Sequence, residues 1–175
     1  MSNSDTQGQD TQRITQETIE GWAAELLRKH NQYTVPVNPV RLAQAQGIKV
    51  NNATFVHEDI SGMITRDGDN VRILVNTNDP PETKRFTIAH EIAHLFLHLT
   101  GDGEIIDREG DLYRITTSER SNKETQANMF AAALLMPKDH VEHYWRQFRS
   151  VAKLALLFGV PEETMTHRLR ALDLV

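Results

Sequence analysis

The segment from Phe86 to Leu99 is apolar apart from Thr87, three histidines and one glutamate. At helical spacing its apolar residues form two rows, which are Ile88, Ile92, Leu95 and Leu99 in one and Phe86, Ala89, Ala93 and Phe96 in the other. A helix that is apolar nearly all round is buried inside a protein. The chain must therefore surround this helix with other elements, and it must give the buried polar side chains partners.

The flanking residues support a helix here. Pro80 and Pro81 precede it, and proline is tolerated in a first helical turn. Glu82 suits the positive end of the helix dipole, and Gly101 is a typical residue beyond a helix C-terminus. The alternative, a surface helix that carries histidines by chance, is disfavoured because the surrounding residues are too apolar for a surface.

His90 and His94 lie four residues apart in this helix, with Glu91 beside the first. Four residues make about 1.1 helical turns, so both imidazoles leave the same face. That spacing allows two histidine nitrogens to reach one Zn²⁺ at roughly 2.0–2.1 Å. Glu91 can accept a proton from a water at the metal without binding the metal itself. The pattern predicts a metal-dependent hydrolase in which a water molecule attacks the substrate.

A catalytic zinc usually takes three protein ligands and keeps one position for water. His98 is a poor third ligand, because it lies about 12 Å along the helix axis from His90. We expect it at the helix end, beside the site. The extended motif His-x-x-Gly-x-x-His after Glu91 is also missing, since Leu97 and Thr100 stand at its glycine and last histidine.

Glu124 is the best candidate for the third ligand. Among the carboxylates after the metal helix, it alone lies on a strongly apolar helical stripe, with Ala127, Asn128, Ala131 and Leu135. A carboxylate that faces inward needs a partner, and a metal ion would provide one. The alternative is a capping box in which Glu124 bonds back to the Ser121 amide. Asn128, one turn later, could hold a ligand, touch substrate, or be a buried hydrogen-bonded amide.

Composition limits the class of protein. The chain has 175 residues, of which 39% are hydrophobic and 25% charged, as expected for one globular domain. Its net charge of −5 disfavours direct nucleic-acid binding. The absence of cysteine leaves histidine, aspartate and glutamate as the only zinc ligands. No apolar run reaches the roughly 20 residues that span a bilayer, and the N-terminus lacks the features of a signal peptide, so we expect a cytoplasmic protein without membrane contact.

The order of elements predicts an α+β fold with a zincin-like core. A helix is expected over Ile14–His30 and a short one over Val40–Gln46, followed by a strand from Ile48. Two further strands, Ser61–Thr65 and Val71–Val75, flank a turn and complete a small antiparallel sheet before the buried metal helix. Later helices are expected from Ser121 to Met136, over Lys138–Phe148, and in two shorter segments. We predict a disordered tail at 1–12, a metallopeptidase core at 13–137 and a C-terminal helical extension at 138–175 packed on the core.

The C-terminal extension has the pattern of a helix-turn-helix around Gly159-Val160-Pro161. It raises a rival hypothesis, a non-catalytic regulator that acts through DNA or protein contacts. Charge disfavours DNA, because three basic and three acidic residues cancel over 150–173: Lys153, Arg168 and Arg170 against Glu162, Glu163 and Asp173. We interpret this region as a packing element or a docking site for a repressor.

Two segments together resemble the ImmA/IrrE family of zinc metallopeptidases. The metal helix of that family is similar to residues 85–98, RFTIAHEIAHLFLH, and its second signature to residues 124–137, ETQANMFAAALLMP. The resemblance covers roughly residues 14–172. It implies a gluzincin-like site in which His90, His94 and Glu124 bind zinc and Glu91 is the general base. It also implies cleavage of a helix-turn-helix repressor, which relieves repression in mobile-element induction or a stress response.

Several details stay open on the sequence alone. An N/N/O ligand set could also hold Mn²⁺ or Fe²⁺. Substrate could add as an extended strand to a sheet edge, for which Val71–Val75 is the candidate. Tyr113, His98 and His140 are candidates for a second oxyanion donor, and each could instead be structural. A second rival is a protein that binds zinc for structure and acts by protein contact, although a structural site normally has four protein ligands.

Overall fold

The computed structural model describes residues 14–57, 60–98 and 117–175, with the side chains of the fourth helix described from Asn122 onward. These residues form seven helices and three strands. The helices are α1 (Gln16–Lys29), α2 (Pro39–Ala45), α3 (Pro81–His98), α4 (Thr117–Leu135), α5 (Lys138–Phe148), α6 (Val151–Phe158) and α7 (Glu162–Ala171). The strands are β1 (Lys49–Ala53), β2 (Gly62–Asp67) and β3 (Asn70–Asn76). The α+β class predicted from the sequence is confirmed.

The sheet has the strand order β1-β3-β2 and is mixed. β2 and β3 form the expected antiparallel hairpin around Gly68, with Asp67 opposite Asn70. β1 pairs with β3 in parallel, so the expectation of a wholly antiparallel sheet is wrong. β1 and β2 form the two edges of the sheet, and β3 lies between them. Val71–Val75 is therefore hydrogen-bonded on both sides and is not an open edge to which a substrate strand could add.

α3 packs against α4, against α2, and against the sheet through β2 and β3. Its middle is buried as the apolar pattern predicted, with Ile88, Ala89, Ile92 and Ala93 at most 4% exposed. The helix begins at Pro81, in agreement with the sequence. Among the described helices, none has both the length and the apolar character needed to cross a membrane.

α4 begins at Thr117, four residues before the predicted start at Ser121. Ser121 therefore lies inside the helix, and it cannot be the N-cap residue of a capping box with Glu124. The expected disordered tail at 1–12, the helix end at Gly101 and the oxyanion candidate Tyr113 lie outside the described residues.

The C-terminal helices belong to the same hydrophobic core as α1, α3 and α4. Buried side chains of α6 and α7, including Leu154, Phe158 and Leu169, are part of one continuous cluster. Arg168 of α7 is 4% exposed and pairs with both carboxylate oxygens of Glu20 in α1. The same guanidinium donates to the carbonyl oxygen of Met136, at the end of α4. One arginine thus holds three helices together.

A second arginine holds the turn between α6 and α7. Arg85, in the first turns of α3, donates through Nε to Gly159 O at 3.0 Å and through Nη2 to Val37 O at 2.7 Å. Gly159 ends α6 with φ of 66°, a left-handed conformation that favours glycine. A Cβ at this position would lie 3.1 Å from Arg85 Nε. The absence of a side chain at Gly159 therefore allows the arginine to approach.

Replacing Gly159 with alanine is expected to lower the free energy of unfolding by about 1–2 kcal/mol, because an L-residue is strained in the left-handed region. The matched control is Gly21→Ala in α1, where a Cβ meets no atom within 4 Å. That substitution should instead stabilise the protein by about 0.5–1 kcal/mol. Urea unfolding of the two variants measures both effects. An unchanged stability of Gly159→Ala would contradict the role given to the turn.

Candidate metal centre

α3 presents His90 and His94 on one face, because they lie one helical turn apart. Their Nε2 atoms are 2.9 Å from each other, and the ring centroids are 4.6 Å apart. Both side chains are about one-fifth exposed. The two imidazoles therefore converge on one point that solvent can reach.

α4 brings Glu124 to the same point from across the interface with α3. Its Oε2 lies 3.2 Å from His90 Nε2, and its Oε1 lies 3.3 Å from His94 Nε2. Glu124 is the carboxylate that the apolar stripe singled out, but 47% of its side chain is exposed, so the expectation that it faces fully inward is wrong. Among the described residues, these three side chains form the only cluster of histidines and acids close enough to share a metal ion.

The donor set fits a zinc ion. For ligand distances of about 2.0–2.1 Å, the donors of a tetrahedral site lie about 3.3 Å from each other. The two distances from Glu124 are 3.2 and 3.3 Å, and the distance between the imidazoles is slightly shorter at 2.9 Å. Two imidazole nitrogens and one carboxylate oxygen are ordinary zinc ligands. Three donors leave one tetrahedral position for water or substrate.

The electrostatic interactions within the cluster favour the binding of a cation. Hydrogen bonds with His90 and then His94 hold the pKa of the Glu124 carboxyl far below its usual range, although partial burial opposes them. Burial lowers the pKa of His90, but the hydrogen bond with Glu124 and the charge of Glu91 outweigh it and raise the pKa. The site thus concentrates negative charge around two imidazoles.

Glu91 is buried beside the cluster, with 9% of its surface exposed. It follows His90 directly in α3, and its charge contributes to the raised pKa of that imidazole after burial and the Glu124 hydrogen bond. Glu91 is therefore next to one ligand in the sequence but is not a member of the cluster.

Of the other residues considered from the sequence, His98 and Asn128 lie near the metal cluster, whereas His140 lies far from it. The Nε2 of His98 is 3.2 Å from the carbonyl oxygen of Lys123, and its ring lies 5.5 Å from that of His94. Asn128 has its side chain in a hydrogen bond with His90. The ring of His140 lies 4.9 Å from that of Tyr33, tilted by 42°, beyond the other end of α4, whose span from Glu124 to Leu135 is about 16 Å. It is therefore too far away to serve as an oxyanion donor.

Sequence reasoning missed two residues that position the site. Arg85 anchors the first turns of the metal helix, and Arg168 joins α7 to α1 and to the end of α4. The spacing of Arg168 contained a signal, because Met165, Leu169 and Leu172 share its helical face. A charge on such an apolar face predicts a buried ion pair.

Comparisons with known proteins agree with this geometry. Residues 43–170 match the peptidase M78 family, described as the IrrE N-terminal-like domain. The chain is similar to two proteins named radiation response metalloprotease IrrE. The one from Deinococcus deserti is 39% identical over 87 residues, 47% of this chain and 30% of the relative. The one from Deinococcus radiodurans is 38% identical over 89 residues, 47% of this chain and 26% of the relative.

Two more proteins resemble most of the chain. The uncharacterized immunity region protein 2 of Bacillus phage phi105 is 30% identical over 126 residues, which are 72% of this chain and 75% of the relative. A solved structure described as a Mycobacterium tuberculosis transcriptional regulator has the same fold, with a TM-score of 0.66 and 22% identity. The alignment covers 87% of this chain and 46% of the chain in that solved structure. The alignments with the two Deinococcus proteins cover less than a third of the length of each of those relatives. Because the family match extends over most of the sequence and includes the metal cluster, the chain belongs to the IrrE N-terminal-like family of metallopeptidases.

Proposed function

We propose that the protein is a cytoplasmic zinc-dependent endopeptidase that cleaves a helix-turn-helix repressor and thereby relieves repression. The observation that carries the proposal is the convergence of His90, His94 and Glu124 within 2.9–3.3 Å of each other. Those residues would hold the ion, and Glu91 would act as general base. A bound zinc supplies Lewis-acid chemistry, which acidifies a water molecule and polarises a peptide carbonyl.

Side chains near the metal site would transfer the proton and hold the metal ligands in position. The buried carboxylate of Glu91 accepts the proton that the attacking water loses, and it can then deliver that proton to the leaving amine. The side chain of Asn128, bonded to His90, fixes the orientation of that imidazole. His98 packs against His94 and limits the movement of its ring.

The identity of the substrate rests on the relatives. Their names describe a radiation response metalloprotease and an immunity region protein, which favours a role in stress response or in the control of a mobile element. The family resemblance adds the class of substrate, a helix-turn-helix repressor. Because β3 is internal, a substrate strand would have to use β1 or β2, the two edge strands.

The rival function, direct DNA binding through α6 and α7, is disfavoured by the placement of charge. Arg168 is buried against Glu20, so it cannot contact phosphates. Glu162 and Glu163 are exposed in the first turn of α7, where they would repel the backbone of DNA. The turn that precedes α7 is also bound to Arg85 of α3.

Replacing Glu124 with alanine is expected to weaken zinc binding at least 10²-fold, because one of three protein ligands is lost. The matched control is Glu163→Ala, which removes an exposed carboxylate from α7 and should leave zinc affinity unchanged. Competition with a chromophoric chelator measures both affinities. Equal affinities for the two variants would remove Glu124 from the ligand set.

The proposed activity is tested with any helix-turn-helix protein that a neighbouring reading frame is found to encode, taken as the candidate repressor. The two purified proteins are mixed with Zn²⁺, and mass spectrometry identifies any cut. A single cut that requires zinc supports the proposal. An intact repressor together with a shift of its promoter DNA by this protein alone would favour the DNA-binding rival.

A further inference from the structure

A cavity of about 420 Å³ lies between α1, α3, α4 and α7. Its apolar lining includes Ile19, Phe86, Met129 and Ala132. This volume is within the roughly 300–1,000 Å³ that is usual for pockets that bind small ligands.

The cavity is adjacent to the candidate metal centre. Two of its lining residues, Phe86 and Asn128, lie four residues from His90 and from Glu124 respectively. Four residues correspond to about 6 Å along a helix axis, so the cavity begins one turn from the metal ligands. The ring of Phe86 is 6.5 Å from that of His90, and the Asn128 side chain is hydrogen-bonded to the same histidine.

The lining indicates what the cavity can accept. Its charged walls are Glu20 and Arg168, and these two are already paired with each other. The other polar lining residues are Gln16, Asn128, Thr164 and His167, and the Nε2 of His167 lies 3.8 Å from Glu163 of the same helix. A charged ligand group would therefore meet no unsatisfied counter-ion there, and would lose its hydration without compensation. An apolar side chain would lose only unfavourable contact with water.

We propose that this cavity is a specificity pocket, which receives a large apolar side chain of the substrate next to the scissile bond. The proposal rests on the proposed function, because it needs a peptide held at the metal centre. It adds a sequence preference, namely leucine, methionine or phenylalanine at one position beside the cut. Met129 and Ala132 would determine the size of the accepted side chain.

The test uses two small zinc-binding probes, leucine hydroxamate and glycine hydroxamate, with the full chain loaded with Zn²⁺. Zinc content is measured first. Isothermal titration then gives the affinity of each probe, and the leucine compound is expected to bind on the order of tenfold more tightly. Methyl NMR of the methionines gives a second measurement: the Met129 signal should shift with the leucine probe, whereas that of Met63 in β2 should not.

Two variants alter the pocket. Ala132→Phe fills it and should abolish the preference for the leucine probe while zinc stays bound. Its matched control is Ala152→Phe, which adds the same ring at an exposed position of α6 and should retain the preference. Met129→Ala enlarges the pocket and should shift the preference towards phenylalanine hydroxamate, which keeps the proposal testable if Ala132→Phe does not fold.

The outcomes separate the two proposals. A protein that binds no zinc overturns the proposed function and, with it, the pocket. A protein that binds zinc but has equal affinity for both probes, or binds neither, overturns the pocket inference alone. If Ala132→Phe still prefers the leucine probe, the pocket inference is also overturned, because the leucine side chain would then bind outside this cavity.

Discussion

Replacing Glu91 with glutamine is expected to reduce kcat for repressor cleavage by about 10²–10⁴-fold, the usual contribution of a general base. Glutamine has nearly the same shape and can be hydrogen-bonded in the same place, but it does not accept a proton at neutral pH. His90, His94 and Glu124 are untouched, so zinc affinity should change little. The measurements are the initial rate of repressor cleavage and the zinc content of the purified variant.

The matched control is Glu82→Gln, the same substitution in the exposed first turn of the same helix. It should leave both the rate and the zinc content unchanged. A Glu91→Gln variant that cleaves at the original rate would exclude this residue as the base. A variant that loses its zinc would instead indicate that the carboxylate supports the metal site.

Replacing Arg168 with alanine is expected to lower the free energy of unfolding by about 3–5 kcal/mol. Arg168 is 4% exposed, and its loss leaves the Glu20 carboxylate without a counter-ion and the carbonyl of Met136 without its donors. An unpaired buried charge costs more than the pair contributes, so most of the effect is this penalty. Chemical denaturation with urea measures it.

Two further variants test this explanation. Arg170→Ala, on the exposed side of the same helix, should change stability by no more than about 0.5 kcal/mol. The double variant Glu20→Leu with Arg168→Met removes both charges together, and it should be clearly more stable than Arg168→Ala. If the double variant is the less stable of the two, the attraction within the pair outweighs its cost of burial.

The candidate site was predictable because its information is local in the sequence. His90 and His94 are one turn apart in any helix, so their convergence follows from spacing alone. The prediction of Glu124 required a further argument, namely that a carboxylate on an apolar helical face must have a partner. The structure brings it within hydrogen-bonding distance of both imidazoles. Its role as a metal ligand stays a prediction.

The parts that were not predictable depend on contacts between distant segments. The order of the strands is one example, because nothing in Val71–Val75 itself tells whether one or both of its sides are paired. The start of α4 is another, since Ser121 is a good N-cap residue by composition but lies within the helix. Arg85 binds the carbonyl of Val37 and that of Gly159, 74 residues away, and no helical or strand periodicity relates such positions.

The contacts of Arg85 and Arg168 decide how the chain can be divided. A chain shortened at Pro137 would lack the carbonyl of Gly159 and the guanidinium of Arg168, and both are bonded to the part that remains. We therefore expect a chain without α5, α6 and α7 to be less stable than the full chain. Recombination that exchanged these helices between relatives would yield a folded product only if both arginine contacts were preserved across the junction.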